Sequence, residues 1–167
     1  MPRPRIDVAI RPLAPEDVEH VKWALYEAVA WNPERVLLPP FELTIEHPEL
    51  ARYHRGWGRT GDIGVIAESG GVVVGVALCR LFTENDHGHG YVDERTPELA
   101  VAVAEDRRAN GIGTRLMEAL AESARAAGFS SLSLSVDAEN PALRLYERLG
   151  YRELTRDDDG VRMIIDL

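Results

Sequence analysis

Hydrophobic positions along this chain switch repeatedly between strict alternation and helical spacing. RIDVAIRPL alternates and predicts a first strand. APEDVEHVKWALYEAVA follows, with Val18, Val21, Leu25 and Val29 on one helical face and Pro15 near the start, where a helix tolerates proline. Trp31 to Phe41 contains Pro33, Pro39 and Pro40 and predicts a loop. PELARYHRG predicts a short second helix, opened by Pro48 and stopped by Gly56. DIGVIAE and VVVGVALCRLF flank SGG and predict a hairpin. TENDHGHGYVDERT is polar and predicts an exposed loop, whereas PELAVAVAE is largely apolar and predicts a strand buried on both faces. Next comes a helix with Leu116, Leu120 and Ala124 every fourth residue. SSLSLSV alternates as a strand, PALRLYERLG is a short helix ending at Gly150, and YRELTR and VRMIIDL form a last strand pair around DDDG.

This order is mixed α/β, and its central strand–helix–strand unit sets two strands parallel. Without a repeat, a low-complexity segment or a linker, residues 1–167 read as one domain.

Charge narrows the choice of partner. Nineteen basic against 28 acidic residues give a net charge of −9. A nucleic-acid binder shows the opposite sign or a dense basic stripe, and this chain has neither. The acidic balance suits a small cationic molecule or a basic peptide. A single cysteine, Cys79, permits no internal disulfide, which fits a reducing cytoplasm; in its apolar run it reads as a small buried hydrophobe rather than a nucleophile. MPRPRIDVAI carries no long apolar region, so no secretory signal is expected, and no stretch approaches the length of a membrane span.

EDRRANGIGTRL begins a helix oddly for so acidic a chain. A helix N-terminus presents unpaired N–H groups and partial positive charge. Gly111 and Gly113 let an anion approach the backbone, and Arg107 and Arg108 add full charges at the same edge. Two readings stand: a phosphate cradle, or a strand-to-helix turn that merely uses glycine. The P-loop pattern fails, because no Gly-Lys-Ser/Thr follows. The dinucleotide fingerprint fails as well, because position 116 is leucine.

VAVAEDRRANGIGTRL resembles the acyl-coenzyme A signature of the GNAT family of N-acetyltransferases. Val101-Ala102-Val103 precede four residues and then Arg108-Ala109-Asn110-Gly111-Ile112-Gly113, as the family pattern asks. SVDAENPALRLYERLGY resembles the family's second segment, and IRPLAPEDVEHV its opening strand and helix. The resemblance implies an α/β fold with a mixed, mostly antiparallel sheet, a splayed central strand pair and flanking helices. It implies that acetyl-coenzyme A is the cosubstrate and that no metal is needed. The backbone from Ala109 to Thr114 would hold the pyrophosphate, with Arg108 beside it. Val101 and Val103 would pair with the pantetheine arm along the strand through Ala102, and the Val101 N–H would stabilise the oxyanion. Tyr146 would be the acid for the departing thiolate, its other reading being core packing beside Leu143 and Leu149, and Asn140 would cap its helix while touching the arm. Glu98 is the candidate base, directly or through a water; a solvated strand end is its other reading.

Family members that modify protein N-termini often carry a glutamate five residues before the asparagine. Here that residue is Ser135, which argues against that branch. For the acceptor, Trp23, Tyr26, Glu27, Trp31, Phe41, Tyr53 and Trp57 form the candidate aromatic and acidic set. GWGRTGDIG reads either as a loop near the acceptor or as a turn closed by an Arg59–Asp62 pair. His87 and His89 would still need a third ligand and fixed geometry to hold a metal, so the favoured reading places their loop near the acceptor entrance instead. The expectation is therefore acetyl transfer to a primary amine, a small cationic one favoured, with no nucleic acid or membrane as partner and a homodimer possible. A non-catalytic acyl-coenzyme A sensor of the same fold is the alternative.

Overall fold

The computed structural model describes residues 6–32, 34 and 37–167. Arg5, at the start of the expected first strand, and Pro33, Arg35 and Val36, in the expected loop, lie outside the described residues. The strands are β1 (Ala9–Pro12), β2 (Ile63–Ser69), β3 (Val72–Arg80), β4 (Glu98–Val103), β5 (Ser131–Val136), β6 (Arg152–Asp157) and β7 (Gly160–Asp166). The helices are α1 (Val18–Val29), α2 (Phe41–Glu46), α3 (Pro48–His54), α4 (Ile112–Ala126) and α5 (Ala142–Arg148). The sheet runs β1-β2-β3-β4-β5-β7-β6, antiparallel throughout except for the parallel β4–β5 pair. The expected fold class is therefore the observed one.

Two apolar layers cover the sheet. On one face α4 buries Ile112, Leu116, Met117, Leu120 and Ala124, in a core shared with Val65, Ala77, Cys79, Leu132, Leu134 and Met163. Gly75 makes this close approach possible, because a Cβ there would meet Leu116 Cδ1 at 2.7 Å. Burial pushes the Cys79 thiol up to about 12, so it packs as a small apolar group. On the other face α1 presents Val21, Ala24 and Leu25 to Ile66, Val76 and Leu78.

Three expectations need correction. Among the described residues three α-helices lie between β1 and β2, not two, because FELTIE forms α2 directly after Pro39 and Pro40. The strand β4 is buried on both faces only in part, since Ala100, Val101 and Val103 are half-buried where it borders a cleft. The 83–96 loop is not simply exposed, for Gly90 and Thr96 are buried.

Candidate active site

The strands β4 and β5 share one register pair, Glu98 with Ser133, where the Ser133 N–H donates to the Pro97 carbonyl at 3.0 Å. Beyond it they diverge. On its other edge β4 stays paired with β3 as far as Val103, and the Ala104 N–H donates to the Val74 carbonyl at 2.8 Å. Main-chain groups alternate along a strand. With Ala104 facing β3 and Pro97 facing β5, the Leu99 carbonyl and the peptide groups of Val101 and Val103 face the gap, while the Leu99 N–H closes the Glu98–Ser133 pair. A cleft of about 1210 Å³ opens there, bordered by β4, β5 and the first turns of α4 and α5.

The start of α4 forms one wall. Gly111 caps it in the left-handed region, at φ 77°, and an added Cβ there would meet nothing within 4 Å. Ala109 also has positive φ (61°), alone among the described non-glycine residues. Asn110 explains how that turn is held: its Nδ2 donates to the carbonyls of Arg107 and Arg108, both at 3.0 Å. Asn110 is thus the one residue of the expected 108–114 cradle that does not line the cleft. The Arg108 Nε donates to the Val103 carbonyl at 3.1 Å, and its guanidinium reaches Glu27 of α1 at 3.6 Å across the cleft. Gly113 faces Leu145 of α5, where an added Cβ would sit 3.3 Å from Cδ2.

The opposite wall holds Asn140 and Tyr146. The Asn140 Oδ1 accepts the Ala142 N–H at 2.9 Å and so caps α5. Tyr146 is buried, packs edge-on to Tyr151 with ring centroids 5.9 Å apart, and lines the cleft. Burial raises its phenol to about 12, so it keeps its proton across the neutral range.

Glu98 stands at the root of the gap. It is buried, and this desolvation raises its pKa above the ordinary carboxylate range; the Tyr53 hydroxyl, the Gly90 and Gly88 N–H groups and His87 pull it partly back. The Gly90 N–H donates to Oε1 at 2.5 Å. The solvated-strand-end reading of Glu98 is therefore overturned. The loop above it has no room for side chains, because a Cβ at Gly90 would fall 2.6 Å from Oε1 and one at Gly88 2.7 Å from both carboxylate oxygens. That loop is tied on both sides. Arg52 donates to the His87 carbonyl and sits 3.6 Å from Asp86, while Arg162 Nη1 donates to the Tyr91 carbonyl at 2.9 Å. His87 and Tyr91 stack at 4.2 Å. His89 lies 3.9 Å from Asp159. Among the described residues no three His, Cys, Asp or Glu side chains gather as metal ligands.

Of the aromatic and acidic candidates, Glu27, Trp31 and Tyr53 line the cleft. Trp23, Phe41 and Trp57 pack against the α1 core instead, and Tyr26 meets Phe41 edge-on at 5.2 Å. GWGRTGDIG is a clasp away from the cleft. Asp62 accepts the N–H groups of Gly58 and Arg59 at 3.0 Å and grips the fully buried Arg80 through two bonds of 2.8 and 2.7 Å. Arg80 in turn donates to the carbonyls of Arg52 and Arg55, anchoring the end of α3. Sequence reasoning missed Arg52, Thr155 and Arg162, which also reach the cleft. No local motif marks them; the register of β5, β7 and β6 brings the last two there.

A splayed strand pair beside a glycine-led helix start is the architecture of an acyltransferase. The chain belongs to the acetyltransferase (GNAT) family, whose model matches residues 24–151. It is similar in structure to PaiA N-acetyltransferase from Thermoplasma acidophilum in complex with coenzyme A (TM-score 0.70, 15% identity, covering 96% of this chain and 99% of that one). It is also similar to YncA, a putative acetyltransferase from Salmonella typhimurium with its cofactor acetyl-CoA (0.69, 21%, 96% and 94%). A third similar structure is ribosomal-protein-alanine N-acetyltransferase from Brucella melitensis (0.69, 25%, 95% and 99%). No helix among the described residues is long and apolar enough to cross a membrane.

Proposed function

We propose that this protein is an N-acetyltransferase that moves the acetyl group of acetyl-coenzyme A to a primary amine by direct attack in a ternary complex. The observation that carries this reading is the gap that opens from the Glu98–Ser133 pair, with the start of α4 on one side and Tyr146 on the other.

Each residue then has a physical task. The α4 N-terminus from Ala109 to Thr114 takes the pyrophosphate, where bare N–H groups and the helix dipole favour an anion. The peptide groups of Val101 and Val103, turned to the gap, take the amides of the pantetheine arm. Glu98 removes a proton from the acceptor ammonium. Its raised pKa makes it a better proton acceptor near neutrality than an ordinary carboxylate. The amine nitrogen attacks the thioester carbon and the C–N bond forms. The carbonyl oxygen gathers negative charge, which the Val101 N–H stabilises. The C–S bond then breaks, Tyr146 protonates the leaving sulfur, and the extra proton on nitrogen passes to solvent.

The test is incubation with acetyl-coenzyme A and pooled polyamines, aminoglycosides, amino acids and lysine peptides, with products read by mass spectrometry. An acetylated amine that disappears with Gly113→Glu is expected. Coenzyme A binding without any acetylated product from such pools would overturn the transferase reading in favour of a sensor.

A further inference from the structure

The face of the sheet that carries Glu98 also carries a row of three polar side chains. Arg162 of β7 is the register partner of Ser135 on β5 and of Thr155 on β6, so a hydroxyl side chain flanks the guanidinium on each side. All three line the cleft. Among the other arginines that line it, Arg52 pairs with Asp86, Arg107 with Asp106 and Arg108 with Glu27, while Arg148 is exposed on α5. Arg162 is half-buried and pairs with no carboxylate among the described residues. Among the described residues its guanidinium makes one hydrogen bond, from Nη1 to the Tyr91 carbonyl, and its Nε is buried with no partner. A buried guanidinium N–H left without an acceptor is costly, and an anion is the acceptor that fits a guanidinium best. This one stands in a chain of net charge −9, where a carboxylate partner is the commonest thing available.

We propose that Arg162, with Ser135 and Thr155, binds a carboxylate of the acceptor, so that the acetylated amine is a molecule of amino-acid size that carries both groups. The proposal rests on the transferase reading above and names its substrate class. Arg162 and Glu98 lie two strands and two residues apart, roughly 12 Å between Cα atoms from sheet spacings. Their side chains bracket a molecule whose ammonium and carboxylate are a few bonds apart. Asp157 and Asp159 line the same end and are exposed; their charge opposes a multiply charged anion such as a phosphate and leaves a single carboxylate as the fitting group.

The standard amino acids and their carboxamides are titrated by calorimetry into the protein saturated with coenzyme A, and each is also offered with acetyl-coenzyme A. At least one acid is expected to bind about ten- to a hundredfold tighter than its amide, the size of effect a charge-assisted bond supplies. Arg162→Gln removes that preference while leaving coenzyme A affinity unchanged, and Arg162→Lys restores part of it. Ser135→Ala, which removes only a hydroxyl, weakens the acid in the same direction and serves if the Arg162 variants do not fold. Binding of no acid, or a preference that survives Arg162→Gln, overturns the subsite. An acid that binds through Arg162 but is never acetylated sustains the subsite and sinks the transferase reading.

Discussion

Glu98 stands opposite Ser133 at the one register pair that β4 and β5 share, so its carboxylate lies where the strands part and not along the gap itself. This position ties the candidate base to the sheet on one side and to the Gly90 amide on the other.

Glu98→Gln tests that placement in two ways. As base, Glu98 is worth about 10²- to 10⁴-fold in kcat, and the variant should lose this with an unchanged KM for acetyl-coenzyme A. Stability should move the opposite way. A carboxyl whose folded pKa is raised contributes stability below its unfolded value, and that contribution is lost as pH rises through the folded pKa. The melting temperature of Glu98→Gln should therefore exceed the parent's, by a margin that widens as pH rises from the ordinary carboxylate range through the raised folded pKa of Glu98 and is constant above it. Full turnover in the variant would remove Glu98 from the chemistry.

Tyr146→Phe keeps the ring that packs on Tyr151 and deletes the hydroxyl. The expected loss in kcat is again about 10²-fold or more, with stability little changed. Because the phenol titrates only at about 12, the ratio of parent to variant rates should stay flat between pH 6 and pH 9. A ratio that bends within this range would assign the proton to another group.

Gly113→Glu separates folding from binding. An acid in the first turn of a helix is favourable by about 0.3–1 kcal/mol, so α4 should survive. The same carboxylate would stand in the anion cradle and repel the pyrophosphate. Coenzyme A affinity measured by calorimetry should fall about a hundredfold or more, near 3 kcal/mol. Unchanged affinity would place the pyrophosphate elsewhere.

Asp62→Ala should cost stability and not binding. It leaves the fully buried Arg80 without its carboxylate, a loss of about 3–5 kcal/mol in urea unfolding. Coenzyme A affinity should be unaffected, since neither residue lines the cleft. A cost under about 1 kcal/mol would mean that the carbonyls of Arg52 and Arg55 alone satisfy the guanidinium.

What was legible in the sequence was local. Val101 through Thr114 is continuous chain, and strand period, glycine spacing and helix start are all written within it. Asn140 likewise caps a helix that begins two residues later. The rest depended on register. Arg162 and Ser135 are 27 positions apart and meet only because β5 and β7 pair. The Arg59–Asp62 pair, close in sequence, is present at 3.7 Å, but the tighter partner of Asp62 is Arg80 at 2.7 Å, from the far end of a hairpin. Helix α2 escaped because six residues after two prolines show less than two turns of any period. The burial of Glu98 comes from a loop whose polar composition suggests solvent, but whose glycines let it lie against the strand.

The divergence of β4 from β5 leaves unpaired strand groups inside a sheet rather than at its border. Such groups on an outer strand invite another polypeptide and so aggregation. Here walls close over them, and only something as slender as a single extended chain can reach them. The missing rung of the ladder thus works as a sieve on thickness, and whatever fills it knits the two halves of the sheet together. At a ligand concentration a hundredfold above its dissociation constant this should add about 2.7 kcal/mol to the fold. Amide exchange at Val101 and Val103 should slow most.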